Sequence, residues 1–149
     1  MKSRIYFALA TFVLITMCTA SAARAQSPAL MSLVANVPFE FEVGKAKLPA
    51  GKYLVREIVE ASQGAVLQLI NKDDKSARAL MTISTTGKNE ERARLVFHRY
   101  GNHYFFAEAW STESTGWQAP KSRAERAIER EYARLNQQMK QIALFAHNQ

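Results

Sequence analysis

Few residues in this chain have the types and spacing that chemistry requires. His98 and His103 flank the dipeptide Gly101-Asn102. A tight turn there places both imidazoles on one face of a hairpin, with Tyr100 between them. Two imidazoles on one face are the start of a metal site. The same register sends Glu108 to the opposite face, so no carboxylate of the hairpin joins them. The reading is two polar residues near a turn, with no metal. Asp73-Asp74 and Glu90-Glu91 are paired carboxylates. Each pair lies in a charged segment, not in an apolar setting that would raise a carboxyl pKa for acid–base hydrolysis. The chain has 1 cysteine, Cys18. That excludes a disulfide scaffold, a cysteine zinc site and an iron–sulfur cluster. No Gly-x-Ser-x-Gly elbow, His-Glu-x-x-His pair, phosphate loop or dinucleotide fingerprint occurs. The expectation is no catalytic residue, no metal and no cofactor.

Residues suited to recognition are better represented. Arg99, Tyr100, Tyr104, Phe105, Trp110 and Trp117 mix rings with a cation, as surfaces that stack on sugars do. Most of these rings belong to strands, where aromatics fill a core. Trp117 differs: it falls in a segment that reads as loop, with no periodic reason for burial. Arg123, Arg126, Arg130 and Arg134 recur at helical spacing. At about 100° per residue they share an arc of about 80°. Glu125 and Glu129 lie off that arc, so they do not neutralise the stripe. Trp117 and these four arginines form the candidate interaction surface.

Strands and one helix must position these residues. Val34 to Val43 ends in alternation, with Phe39, Phe41 and Val43 on one face and Glu40 and Glu42 on the other. Pro38 marks it as an edge strand. Gly44 to Lys47 reads as loop, and Leu48-Pro49-Ala50-Gly51 fits a type I turn. Lys52–Val59, Ala65–Ile70 and Ala77–Ser84 are further strands, with a polar turn over Asn71–Lys75 and a charged loop over Thr85–Arg92. Arg94–Tyr100 and His103–Ser111 form the clearest hairpin. Its register sets Phe97 against Phe106 and Tyr100 against His103, with Leu95, Phe97, Phe106 and Trp110 on one face. Six strands with short turns predict a mainly β fold, an antiparallel meander curled into a small sandwich or barrel. A loop follows over 112–121. Ser122-Arg123-Ala124-Glu125 is a capping box, the serine taking an amide of the first turn and the glutamate returning to the serine amide. From Arg123 to Ala146 there is neither Gly nor Pro. Ile128, Tyr132, Leu135, Met139, Ile142 and Ala146 form a narrow apolar stripe, so a single amphipathic helix is predicted over 122–146.

The N-terminus reads as a targeting segment. Lys2 and Arg4 precede the uncharged apolar run Ile5–Met17, and Ala23-Arg24-Ala25 supplies small residues at a cleavage site. A secretory signal peptide over 1–25 is expected, cleaved after Ala25, with a flexible leader over 26–33 and the β domain over 34–111. An uncleaved membrane anchor is the alternative. The net charge is +7 over 149 residues. Cleavage removes Lys2, Arg4 and Arg24 and no acid, so the remaining charge is modest.

Three stretches together are distinctive. They are Val37-Pro38-Phe39-Glu40-Phe41-Glu42-Val43-Gly44 with Leu48-Pro49-Ala50-Gly51-Lys52-Tyr53; Leu95-Val96-Phe97-His98-Arg99-Tyr100-Gly101 with Tyr104-Phe105; and Trp110 followed by Ser114-Thr115-Gly116 and Pro120-Lys121-Ser122-Arg123. On these motifs the chain resembles a family of small exported bacterial proteins of uncharacterised function. The resemblance implies export and a β-rich domain with a helical tail. It carries over no catalytic or ligand residue.

These features predict an exported, non-enzymatic domain that binds or interacts in the cell envelope, periplasm or extracellular space. An envelope polyanion, a carbohydrate or a protein is the expected kind of partner, and nucleic acid is not. The alternative is a module driven by the helix, either to a membrane surface or into a homo-oligomer. A hydrolase comes third.

Overall fold

The computed structural model describes residues 31–61, 63–87, 92–112 and 114–148. The proposed signal peptide and its cleavage site lie outside them. Along the chain come β1 (Ser32–Val37), β2 (Phe41–Val43), β3 (Ala46–Leu48), β4 (Gly51–Ala61), β5 (Gly64–Asn71), β6 (Ala77–Thr86), β7 (Arg94–Tyr100), β8 (His103–Trp110) and β9 (Thr115–Gln118). Helix α1 (Arg123–Arg134) follows, then β10 (Lys140–Phe145) and β11 (His147–Asn148).

The fold is mainly β, as expected, but it has more strands than six and is not a closed barrel. The strands join one open mixed sheet of 11, in the order β10-β7-β8-β9-β6-β5-β4-β1-β11, with β2 on β8 and β3 on β2. Most pairs are antiparallel neighbours, but β2 meets β8 in parallel at Glu42 and Phe105. Both ends of the path belong to the last segment of the chain: β10 pairs with β7 and β11 pairs with β1.

Several boundaries differ from the sequence reading. The leader was expected to reach residue 33, yet Ser32 and Leu33 already belong to β1 and Leu33 is fully buried. Alternation starts there because Leu33, Ala35 and Val37 all face the core. The expected strand over Val34–Val43 breaks at Pro38, which cannot donate to a ladder. Phe39 then turns aside, stacking on Tyr104 at 3.9 Å and meeting Phe97 edge-on. The loop after it is the tight turn of the β2–β3 hairpin, with Gly44 in the left-handed region at φ 62°.

The core lies inside the curved sheet. Leu33, Val55, Leu67 and Leu69 from one stretch pack in one cluster with Leu95, Phe97 and Phe106 from another. Phe41 joins the halves, edge-on to both Tyr53 and Phe97. Tyr53 is buried, and its hydroxyl donates to Pro49 O at 2.7 Å. Asn71 Nδ2 donates to the same hydroxyl at 3.3 Å, which ties the turn before β4 to the one after β5. The outer face of β4 to β6 stays apolar in places, with Val59, Met81 and Ile83 exposed.

The β7–β8 hairpin has the predicted register at its turn, Tyr100 against His103 and Phe97 against Phe106. Between Val96 and Phe97 the register shifts. One extra residue on β8 reverses the alternation beyond it. Ala109 therefore faces the core and Trp110 does not. Glu108 stands across from Val96, on the face of His98 and not the opposite one. The displaced Trp110 ring lies over glycines. A Cβ on Gly116, its cross-strand partner, would come within 2.5 Å of the ring, and one on Gly87 within 2.6 Å.

Candidate functional site

The expected helix over 122–146 stops at Arg134, and residues 140–145 form a strand. The stop is a local hydrogen-bonded cap. Asn136 adopts the left-handed conformation at φ 53°. Its amide donates to Ala133 O at 3.2 Å, and the Gln137 amide donates to Tyr132 O at 2.9 Å. This pattern satisfies the last carbonyls of a helix and needs a residue that tolerates positive φ, which asparagine does. Beyond it, Ile142, Leu144 and Ala146 alternate toward the core. That spacing also fits a helix in part, so periodicity alone read it as one.

The helix start is half of the predicted box. The Ser122 hydroxyl accepts from the Glu125 amide at 3.0 Å. The Glu125 carboxylate does not return to the serine. It turns under the helix, where its Oε1 lies 2.6 Å from His98 Nδ1. Both side chains are nearly free of solvent, at 9% and 4% exposure for His98 and Glu125. A buried carboxylate requires a strong partner, and an imidazole N–H supplies one where a backbone amide near the surface would not.

Around this pair the outer face of the hairpin makes a second, smaller packed region beneath α1. Tyr100 packs edge-on to Phe105 and to Tyr132 of the helix, with ring centroids 5.9 and 5.4 Å apart. The Tyr100 hydroxyl is buried without a hydrogen-bond partner among the described residues. Burial, and then the negative charges of Glu125 and Glu129, push its pKa up to about 12. Gly101 closes the turn below Tyr132. It has φ 59°, and a Cβ there would come within 2.6 Å of the Tyr132 hydroxyl. A side chain at this position would meet both obstacles. Lys121 pairs with Glu129 beside the helix start.

With Glu125 and Tyr132 turned to the sheet, the opposite side of α1 faces outward. Arg123, Arg126, Arg130 and Arg134 are all exposed. Arg126 Nη1 donates to Lys121 O at 2.8 Å and Arg130 Nε to Arg126 O at 3.1 Å. No carboxylate pairs with any of the four among the described residues. Comparison with protein families, with curated proteins and with solved structures finds no match.

Trp117 does not belong to this surface. The expected loop contains β9, and Trp117 is buried in the core cluster, across from Ala109 and Ser84. The run Thr115–Gln118 was too short to show alternation. His103 does not join His98 either. It is exposed, and its Nδ1 stands 3.9 Å from Glu42 Oε1. Among the described residues no three His, Cys, Asp or Glu side chains converge as metal ligands. Among them no helix is long and apolar enough to cross a membrane.

What the arrangement offers is fixed positive charge on a docked helix. The sequence showed the arginines. It did not show the His98–Glu125 pair that sets their direction, because its partners are far apart in the chain. The only hint was an acidic residue near the helix start and a histidine on a face expected to be outward.

Proposed function

We propose that the chain is an exported, non-enzymatic interaction domain that meets an anionic partner through the arginine face of α1. The site of action would be the cell envelope or the space outside it. The domain would be a sandwich in which the two halves of the sheet share the aromatic core. The observation that carries the reading is the orientation of the helix. A buried His98–Glu125 hydrogen bond and the packed Tyr100 and Tyr132 rings hold one side of the helix inward, and four arginines remain outside with no carboxylate partner among the described residues. Guanidinium groups suit carboxylate, sulfate and phosphate groups because their paired donors match such oxygens. An envelope polyanion fits this chemistry better than a neutral carbohydrate, since Trp117, the ring with which a sugar would stack, is buried.

Self-association through α1 has less support. Its Ile128 and Tyr132 are half-buried against the sheet, which leaves Leu135 as the one large apolar side chain exposed on the segment.

Dextran sulfate is a suitable polyanion probe. The expected result is binding that weakens with added salt. Replacing all four arginines by glutamine should reduce it by about thirtyfold, from roughly 0.5 kcal/mol for each exposed charge. Equal binding by the variant would place the interaction elsewhere and overturn the reading.

A further inference from the structure

Two cations stand directly opposite one another where the inner stripe of β7 and β10 runs out. Leu144 pairs with Leu95 and Ile142 with Phe97, and all four belong to the core or pack against it. The next pair on the same face is Lys140 with Arg99. Directly opposed side chains have Cβ atoms about 5 Å apart, and like charges placed so repel. No carboxylate pairs with either cation among the described residues.

The two cations border a cavity of about 320 Å³ at the tip of the β7–β8 hairpin, together with Gly101, Tyr132, Gln137 and Gln138. Arg99 is half-buried and held from two sides. Its Nε donates to Gly101 O at 2.8 Å, and its guanidinium carbon lies 5.4 Å from the centre of the Tyr104 ring. Its two Nη groups stay available as donors of settled direction. The Lys140 ammonium, the Tyr132 hydroxyl and the side-chain amides of Gln137 and Gln138 have no hydrogen-bond partner among the described residues. The backbone amides of Asn136 and Gln137 are taken up by the last carbonyls of α1, so the donors facing the cavity are side chains. No carboxylate lines it.

This chemistry narrows the ligand. Two cations without a counter-charge match a doubly charged group better than a carboxylate, which carries one charge. A planar guanidinium suits the paired oxygens of phosphate. The volume is more than a bare phosphate fills, and the amides and the hydroxyl suit the hydroxyl groups of a small polyol. We propose that this cavity binds a phosphate group, carried free or as the monoester of a small polyol, between Arg99 and Lys140. The site shares no residue with the arginine face of α1 and does not rest on the function proposed for that face.

The test titrates the full chain with sodium phosphate and with glycerol phosphate, at an ionic strength of about 0.15 M that screens distant charges. Saturable binding is expected, with the side-chain amide resonances of Gln137 and Gln138 shifting in the same titration. Tighter binding of glycerol phosphate assigns the monoester, and equal or tighter binding of inorganic phosphate assigns the free ion. Acetate, with less charge, should bind about tenfold more weakly. Lys140 is exposed, so Lys140→Gln should fold as the parent does. Relief of the repulsion should leave its melting temperature equal or higher without phosphate, while phosphate binds about fivefold more weakly. Arg99→Lys keeps the charge but not the fork, and should weaken phosphate by a similar factor. The variant with the four helix arginines replaced by glutamine should bind phosphate as the parent does. Absence of saturation would overturn the proposal, as would saturation that leaves the Gln137 and Gln138 side chains unshifted. So would equal binding of acetate, or affinity lost with the helix arginines. Affinity that survives Lys140→Gln would also overturn it, leaving the lysine only to offset the negative end of α1.

Discussion

Glu125 is the one fully buried side chain of α1, and everything about its position follows from His98. Removing one member of a buried pair leaves the other desolvated without compensation. Glu125→Ala should therefore cost about 3–5 kcal/mol in chemical denaturation. Replacing both residues by leucine should recover most of that loss, since apolar side chains tolerate the same site. If the single variant changes stability by less than about 1 kcal/mol, the pair is not buried in solution. Tyr100 behaves in the opposite way. Its hydroxyl is buried and unpartnered among the described residues, so Tyr100→Phe removes a desolvated group and should be neutral or stabilising by about 1 kcal/mol at neutral pH. Its pKa, raised to about 12, also sets a pH dependence. An unfolded tyrosine ionises near 10, while the folded one keeps its proton to higher pH. The folded state then binds more protons in this window. Stability is fully present below about pH 10 and falls as pH rises toward 12, by roughly 2–3 kcal/mol. Phenolate absorbance and denaturation between pH 9 and pH 12 measure both quantities. In Tyr100→Phe that part of the decline should vanish.

At the scale of elements, the end of α1 decides how the C-terminal segment is used. Leu135 is the cap residue and 60% exposed. Leu135→Asp should change stability by less than about 0.5 kcal/mol, as for other surface positions. Asn136→Val places a β-branched residue in the left-handed region and should cost about 1–2 kcal/mol. Asn136→Gly should be tolerated, because glycine adopts that region freely. Thermal melts of the three variants separate a helix that stops at Arg134 from one that continues. Much of this organisation was legible in the sequence. The strand alternations, the hairpin turn at Gly101-Asn102 and the serine cap of α1 are all local patterns, set by neighbours within a few residues. What could not be read there depends on distant partners. The period of Ile142 and Leu144 fits a helix or a strand, and only the open edge of β7 chooses between them. The extra residue in β8 has no local signature, yet it turns Trp110 outward and Glu108 to the face of His98. Trp117 looked free because its partners, Ser84 and Ala109, are far away in sequence or across a loop. For the candidate site, the arginine stripe was visible in full, and the buried pair that orients it was not.

The whole molecule is organised around its last residues. The open sheet has two ends, and the C-terminal segment pairs with both, Ile142 with Phe97 on β7 and His147 with Val34 on β1. The Ala146 amide donates to Ala93 O at 2.8 Å at the crossing point. Such contacts join the first and last described strands, so the sheet cannot form fully until β10 and β11 are in place. Folding dominated by pairings this remote in sequence belongs to the slow range, milliseconds to seconds. The same arrangement predicts what truncation does. A chain ending at Met139 would keep α1 and its buried pair. It would lose Ile142, Leu144 and Ala146 from the core and leave the edge of β7, with Leu95 and Phe97 behind it, open to water. Each larger apolar side chain contributes about 1.5–3 kcal/mol on full burial, and these are partly buried, so the loss is several kcal/mol. Domains have only about 5–15 kcal/mol in total. The uncovered β7 edge would carry Leu95, Val96 and Phe97, and an open edge of this kind pairs with other molecules. The truncated chain should therefore unfold at much lower denaturant concentration and aggregate, whereas Leu135→Asp in the full chain should do neither. Denaturation followed by tryptophan fluorescence, with light scattering on the same samples, measures both effects. A truncated chain that melts like the parent and stays monomeric would show that β10 and β11 are dispensable, and that the sheet is stable with both ends bare.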